Sequence, residues 1–190
     1  MILKGEKVFL GPVINSDEYY NWMNENAVTQ FLESRFHAQS KDDIQQYISA
    51  MSKNPDIFFF GIFSIKTMGH CGNIKLGPIN WLHRFGEIGL VLRKEVWGKG
   101  FGTESIKLIS KFAFDELGLH KIWCGCLSEN LGSIKAFQKA GFKIEGTLKK
   151  QYWTNGKWMD DIIFGLTQED YFSKNNTQYI ISSIHKTVYS

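Results

Sequence analysis

Residues Leu90 to Glu104 have the sequence LVLRKEVWGKGFGTE, an apolar strand pattern followed by a turn with three glycines. Beyond the turn, apolar residues recur with the spacing of a helix, at positions 106, 108, 109, 112 and 113. The glycines at 98, 100 and 102 allow a ligand to approach the main chain closely. The first turn of the helix offers unpaired N–H groups and the positive end of the helix dipole, and both favour a phosphate. This strand, turn and helix therefore predict an anion site, to which Lys99 adds a positive charge.

Two common nucleotide-binding patterns do not fit this turn. A P-loop requires G-x-x-x-x-G-K-[ST], and the sequence has no such run. A dinucleotide-binding G-x-G-x-x-G that starts at Gly100 finds Ser105 in place of its third glycine, and no acidic residue follows at the expected distance. A turn that only joins strand to helix is the structural alternative.

The turn resembles the pyrophosphate-binding motif Q/R-x-x-G-x-G/A of the GNAT superfamily of acyl-CoA-dependent N-acetyltransferases. Trp97 stands in the Gln/Arg position, a departure that the branch of ribosomal-protein and spermidine acetyltransferases often tolerates. The resemblance implies that backbone amides of this loop hold the pyrophosphate of acetyl-CoA, the expected co-substrate. The loop residues assigned to the coenzyme are Trp97, Gly98, Lys99, Gly100, Gly102 and Thr103.

A second motif stands about 30 residues further on. Residues 128–142, SENLGSIKAFQKAGF, resemble the family's N-x-x-S/A-x-x-x-Y-x-K-x-G-F helix. Asn130 and Ser133 are expected to reach pantetheine amide and phosphate oxygens, and the alternative that Asn130 is only a helix N-cap stays open. Phe137 occupies the position of a tyrosine that can protonate the leaving thiolate in many members. The general acid is therefore unassigned, and a non-catalytic acyl-CoA-binding module is the alternative of another class.

The pattern of apolar runs indicates the fold class. Runs between residues 57 and 92 are separated by glycine turns and predict an antiparallel meander. The strand at 122–127 follows the motif helix, so it should lie parallel to strand 86–92. In the family these two strands splay and receive the pantetheine arm, which implies coenzyme contacts near Val91 and Leu92. We therefore expect an α/β (α+β) fold of the GNAT type, a mixed and mostly antiparallel sheet flanked by helices.

The chain length fits one domain. The resemblance covers about residues 7–172, so we expect a single acetyltransferase domain over 1–172 and a C-terminal extension over 173–190, in which residues 179–184 are apolar enough for a short element. Ser16 and Ser40 are predicted to cap helices at 17–24 and 41–53, and Asp43 completes a capping box with Ser40. Asn155 and Gly156 predict the turn of a long hairpin.

Composition excludes several partners. A net charge of +3 without a basic cluster does not indicate nucleic acid, and no apolar run reaches membrane-spanning length. The three cysteines lack the paired spacing of a zinc site, so no metal is expected. The N-terminus has no apolar signal segment, which makes the cytoplasm the expected location. A homodimer is left open.

Glu87 is the candidate catalytic residue. A carboxylate in an otherwise apolar strand is costly to bury unless it has a partner or a task. The acceptor amine is protonated at neutral pH and must lose a proton before it attacks the thioester, which a carboxylate can accept. The resemblance agrees, since spermidine acetyltransferases carry a glutamate at this distance before the glycine loop. The alternative is a solvated Glu87 paired with Arg84 or Arg93, and His70 and His83 are weaker candidates for the base.

The acceptor is less defined. We expect direct attack in a ternary complex, because no Cys-His pairing is evident. The candidate acceptor-binding residues are Glu33, Arg35, Phe36, Asn73, Trp81 and His83. This mixed aromatic and basic lining favours a neutral or phosphate-bearing acceptor such as a nucleotide-linked amino sugar. A protein N-terminus and a polyamine are the alternatives.

Overall fold

The computed structural model describes residues 1–173, so the predicted element at 179–184 lies outside the described chain. The strands within it are β1 Leu3–Lys4, β2 Val8–Pro12, β3 Phe58–Ser64, β4 His70–Leu76, β5 Phe85–Leu92, β6 Lys121–Leu127, β7 Lys143–Thr154 and β8 Lys157–Thr167. The helices are α1 Asp17–Met23, α2 Asn26–Thr29, α3 Lys41–Lys53, α4 Phe101–Lys111 and α5 Leu131–Ala140, and residues 168–173 are also helical. Short 3-10 turns occupy Glu33–Phe36 and Lys94–Val96, and a π-helical turn occupies Phe112–Glu116. The helices of this part of the chain are too short and too polar to cross a bilayer.

The strands form one mixed sheet in the order β1-β2-β3-β4-β5-β6-β8-β7. Each neighbouring pair is antiparallel except β5 and β6, which are parallel. The predicted antiparallel meander and the parallel strand after the motif helix are therefore confirmed, as is the expected fold class.

Alternate residues of the strands face two different helical layers. Phe60, Ile74 and Ile88 belong to the main core, which also contains buried residues of α4 and α5. Phe59 and Val91 pack instead with the aromatic and aliphatic residues of α1, α2 and α3. Because side chains alternate along a strand, the odd-numbered residues of β5, including Glu87, lie on the face covered by α1 to α3.

The parallel strands separate soon after they begin. β5 and β6 are paired only at Phe85–Lys121, Gly86–Ile122 and Glu87–Trp123. Beyond these pairs β5 continues to pair with β4 and β6 with β8. The splayed pair that the sequence predicted is therefore present, and the sheet opens directly after Glu87.

The motif helix begins earlier than the sequence indicated. Apolar spacing predicted a start near Ser105, but α4 begins at Phe101, with Gly100 at its N-cap in the left-handed conformation (φ 86°). Gly102 therefore lies within the first turn and packs against β5: a Cβ there would stand 3.2 Å from Leu92 Cδ1. The glycine pattern hid this turn because glycine is a poor helix former. Gly102 instead allows the first turn of α4 to pack closely against β5.

Local signals placed the starts of α1 and α3 correctly. Ser16 Oγ accepts a hydrogen bond from Tyr19 N at the start of α1. Ser40 and Asp43 form the reciprocal capping box of α3. The Asn155-Gly156 turn joins β7 to β8 with both residues at positive φ.

Candidate active site

A cleft of about 670 Å³ opens where β5 and β6 separate. One wall is β5 and its neighbour β4, and the other is β6 with β7 and β8. The segment before α3 covers it on one face, and the N-terminal half of α5 lines it from the other. Backbone groups of β5 beyond Glu87 have no β6 partner, so an extended ligand arm with amide groups fits this gap.

Glu87 lines the cleft on the face shared with α1 to α3. It is half-buried, and within residues 1–173 no lysine or arginine forms an ion pair with it. Burial raises the pKa of its carboxyl, while Lys75 acts in the opposite direction and Asp161 and Glu33 reinforce the rise. The alternative of a pair with Arg93 is not found, since Arg93 Nε lies 3.8 Å from Glu95 Oε2. A half-buried carboxylate of raised pKa in a cleft has the properties of a general base.

Asp161 on β8 is a cleft carboxylate that the sequence reasoning did not single out. It is only 6 % exposed, and burial raises the pKa of its carboxyl. The space it occupies exists because Gly125 on β6 has no side chain: a Cβ there would lie 2.7 Å from Asp161 Oδ2. The signal that could have identified Asp161 is the one used for Glu87, a carboxylate within an apolar strand.

The predicted acceptor residues divide into two groups. Glu33, Arg35, Phe36 and Asn73 line the cleft. Arg35 is already engaged, because its Nη1 donates to Asn155 Oδ1 at 2.8 Å and ties the covering segment to the β7–β8 turn. Its guanidinium also stacks on the Phe36 ring.

Trp81 and His83 are not among the residues that line the cleft. Trp81 Nε1 donates to Asp56 Oδ1 at 2.8 Å, and the His83 ring stacks on Phe85. Both lie in the turn before β5, on the far side of the strand start from the gap. His70, the other weak candidate for the base, is buried against Phe63, and its Nε2 is 2.9 Å from Asn73 Oδ1.

The glycine turn lies past the end of β5, beside the cleft and not within its lining. Trp97 ties the turn to the end of β5, because its Nε1 donates a hydrogen bond to the Leu92 carbonyl oxygen at 2.9 Å. This carbonyl is the Leu92 group that was expected to contact the coenzyme. Val91 does line the cleft. Lys99 lines a separate cavity of about 520 Å³ behind the turn. Gly98 and Gly100 have positive φ, so the turn exposes backbone at the start of α4, and Thr103 follows in its first turn.

The start of α5 meets the cleft from the opposite face. Asn130 is the N-cap of α5, since its Oδ1 accepts a hydrogen bond from Ser133 N at 3.1 Å. Asn130 and Ser133 also line the cleft. Ser133 Oγ lies 3.6 Å from Cys126 Sγ. Phe137 is buried against Phe142 and offers no polar atom. In the described part of the chain, no cluster of histidine, cysteine and carboxylate side chains is suited to a metal ion.

Tyr152 on β7 is a second cleft residue that sequence reasoning passed over. Its side chain is 38 % exposed and lines the cleft together with Glu87 and Asp161. Burial raises the pKa of its phenol, and the carboxylates of Asp161, Glu33 and Glu87 raise it further. Glu33, Glu87, Asp161 and Tyr152 therefore form one group around the opening of the sheet.

Comparison with known proteins agrees with this geometry. A family model described as "Acetyltransferase (GNAT) domain" matches residues 7–143. A probable N-acetyltransferase YjcK of Bacillus subtilis (strain 168) is 31% identical over 180 residues, which cover 89% of this chain and 98% of that protein. The spermidine N(1)-acetyltransferase of Escherichia coli (strain K12) is 31% identical over 106 residues, 56% of this chain and 57% of that protein.

Solved structures show the same fold. An acetyltransferase (GNAT family) from Bacillus anthracis superposes with a TM-score of 0.76 at 23% identity, covering 89% of this chain and 99% of that one. A spermidine N-acetyltransferase from Vibrio cholerae in complex with CoA and spermine gives a TM-score of 0.78 at 23% identity, covering 87% of this chain and 98% of that one.

Proposed function

The chain belongs to the GNAT acetyltransferase family, and we propose that its acceptor is a small amine that carries further positive charge. The family activity is acetyl-CoA-dependent N-acetyl transfer, and this chain is an enzyme of that class. The acceptor proposal rests on one observation, the group of three carboxylates, Glu33, Glu87 and Asp161, in the cleft. A polycationic amine would be attracted to this group, whereas a phosphate-bearing acceptor would be repelled.

Arg35 lines the cleft, whereas His83, the other positive residue that favoured an amino sugar, does not. His83 lies outside the cleft and Arg35 is bonded to Asn155. Lys75 is the main positive charge facing Glu87. The two spermidine acetyltransferases compared above support a polyamine acceptor, which the sequence reasoning had kept as an alternative.

The coenzyme fits the chain's own groups. The unpaired edge of β5 at Val91 would take the amide-bearing arm, and the exposed backbone at Gly100 and the start of α4 would hold the pyrophosphate. Asn130 and Ser133 line the arm's path from the α5 side. We infer that Glu87 accepts the proton of the acceptor amine, directly or through water. The amine then attacks the acetyl carbonyl in a ternary complex, held by groups that already face the gap.

A thiol-release assay with acetyl-CoA tests the acceptor class. The panel is spermidine and spermine, nucleotide amino sugars and peptides with free N-termini, with CoA binding measured in parallel by calorimetry. We expect turnover with the polyamines. Turnover only with an uncharged or phosphate-bearing amine would contradict the proposed acceptor, and absence of CoA binding would contradict the proposed coenzyme site.

Glu87→Gln tests the base. We expect kcat to fall by about 100-fold or more because general-base catalysis is lost, with CoA affinity unchanged. Activity of the unchanged enzyme should fall as pH decreases through the raised pKa of Glu87, since the base must be ionised, and this inflection should be absent in the variant. Glu116→Gln is the matched control, because Glu116 is exposed and does not line the cleft. Equal activity of the two variants would remove Glu87 from the mechanism.

A further inference from the structure

The position at which many family members carry a proton-donating tyrosine is closed in this chain. Phe137 fills it, is 2 % exposed, and packs edge-on against Phe142 at 5.1 Å between ring centres. The thiolate that leaves the thioester must nevertheless be protonated to give the coenzyme thiol. The cleft must therefore supply that proton from another group or from water.

Three phenols line the cleft, and one of them is suited to this task. Tyr19 is a buried residue of α1, and its ring packs against Trp22 and His70. Tyr47 lies on α3 and its ring packs edge-on against Phe59 of β3. Neither phenol has a pKa affected by the cleft carboxylates, whereas that of Tyr152 is raised by Asp161, Glu33 and Glu87. Tyr152 lies on the β7–β8 wall of the cleft, and its partner Met159 on β8 is two residues from Asp161.

An irregularity in β7 sets the place of Tyr152. Leu148 pairs with Asp161 and Tyr152 with Met159, so four steps along β7 match two along β8. The two extra residues leave Tyr152 opposite Met159, two residues from Asp161, whereas regular pairing continued from Leu148 would put Tyr152 opposite Lys157. Without the bulge, the residue opposite Met159 would be Lys150.

Asp160 holds this bulge closed. Its Oδ1 accepts a hydrogen bond from Lys150 N at 2.9 Å, and its Oδ2 pairs with Lys149 Nζ at 2.9 Å. Lys150 has a φ of 50°, in the left-handed region that a lysine seldom occupies without such support. A side chain outside the cleft therefore holds the bulge that sets how far Tyr152 lies from Asp161 along β8.

We propose that Tyr152 is the general acid of the acetyl transfer and that Asp160 is its positioning residue, through the bulge at residues 149–151. This rests on the proposed acetyl-transfer function of the same cleft. The amine nitrogen forms the new bond to the acetyl carbon, and the carbon–sulfur bond breaks with its electron pair going to sulfur. Tyr152 donates its phenolic proton to that sulfur. Glu87 and solvent together take two protons from the ammonium nitrogen. One of them returns to the Tyr152 phenolate, and the other is released in each turnover.

A change of leaving group tests the acid directly. With acetyl-CoA, Tyr152→Phe should lower kcat/KM by about 100-fold or more. With the acetyl thioester of 4-nitrothiophenol, whose thiolate leaves without protonation, the two enzymes should differ by less than about 3-fold, since no acid is needed. CoA affinity, measured by calorimetry, should be unchanged. Tyr20→Phe removes the same atom outside the cleft and should leave both donors unaffected.

An equal loss with both donors, or none with acetyl-CoA, would overturn the assignment of Tyr152. Either result can be obtained only if the unchanged enzyme acetylates an amine. If the proposed function is wrong, the unchanged enzyme acetylates no amine, so the two failures are distinguishable.

Asp160 is tested by a double-variant cycle. Asp160→Ala should lower kcat/KM with acetyl-CoA far more than with the aryl thioester, and should add nothing to Tyr152→Phe. Asp160→Asn keeps an oxygen for Lys150 N and should retain more activity than Asp160→Ala. Lys149→Met removes only an exposed ion pair and should be near the unchanged enzyme. Additive losses in the double variant would show that Asp160 acts independently of Tyr152 and would overturn its positioning role.

Discussion

Asp161 shows what a buried carboxylate costs the fold. It is buried in the cleft with a raised pKa, so its ionised form is less favourable in the folded chain than in the unfolded chain. The folded state therefore binds its proton more tightly, and this group's contribution to the free energy of unfolding falls as pH rises from the ordinary aspartate pKa through the raised one. Above the raised pKa, the ionised carboxylate destabilises the fold.

Asp161→Asn should consequently raise the Tm at pH 7, because the amide matches the carboxyl in shape and carries no charge. The gain should shrink as pH falls and disappear below about pH 4, where the carboxyl is neutral in both states. Differential scanning calorimetry across this range measures it. Glu116→Gln, an exposed change, should shift the Tm by less than about 2 °C at any of these pH values. A Tm gain for Asp161→Asn that does not depend on pH would contradict the burial argument.

Among the elements, α3 depends on a cap that the sequence shows openly. At the start of α3, the side chains of Ser40 and Asp43 each accept a hydrogen bond from the other's backbone N–H group. The helix buries Ile44 and Ile48. Ser40→Ala should lower the free energy of unfolding by about 1 kcal/mol, because one N–H loses its acceptor. Urea unfolding with an unchanged m-value measures this loss.

Ser52→Ala is the control within the same helix. Ser52 is exposed near the C-terminal end, and alanine is the better helix former, so this change should be neutral or slightly stabilising. If both changes cost the same, the loss at Ser40 would reflect the serine-to-alanine exchange and not the cap.

For the whole molecule, the opening between β5 and β6 divides the sheet into two parts that share three residue pairs. A ligand arm that bonds to both strand edges would join these parts. CoA at 100 times its dissociation constant should then raise the free energy of unfolding by about 2.7 kcal/mol, and the Tm by several degrees. Adenosine 3′,5′-bisphosphate, which lacks the arm, should give a smaller rise when compared at equal concentration. An equal rise with both ligands would mean that the arm does not occupy the gap.

The sequence by itself determined the family, the order of the elements and the caps. These features depend on neighbours within a few residues: the glycine turn after a strand, Ser40 with Asp43, and Asn155 with Gly156 each act through local backbone geometry. Glu87 was found the same way, as a carboxylate in an apolar strand. Such signals can be read from the sequence because the chain itself holds the interacting groups close together.

The tertiary structure decided which side chains share the cleft. Residues far apart in sequence, Glu33, Glu87 and Asp161, meet because strands from both halves of the sheet border one opening. Trp81 and His83, which stand near Glu87 in sequence, point elsewhere because they lie in the turn before β5. Tyr152 lies two residues from Asp161 along β8 because a bulge held by Asp160 shifts its register. Strand pairing and register are long-range properties, and no local pattern specifies them.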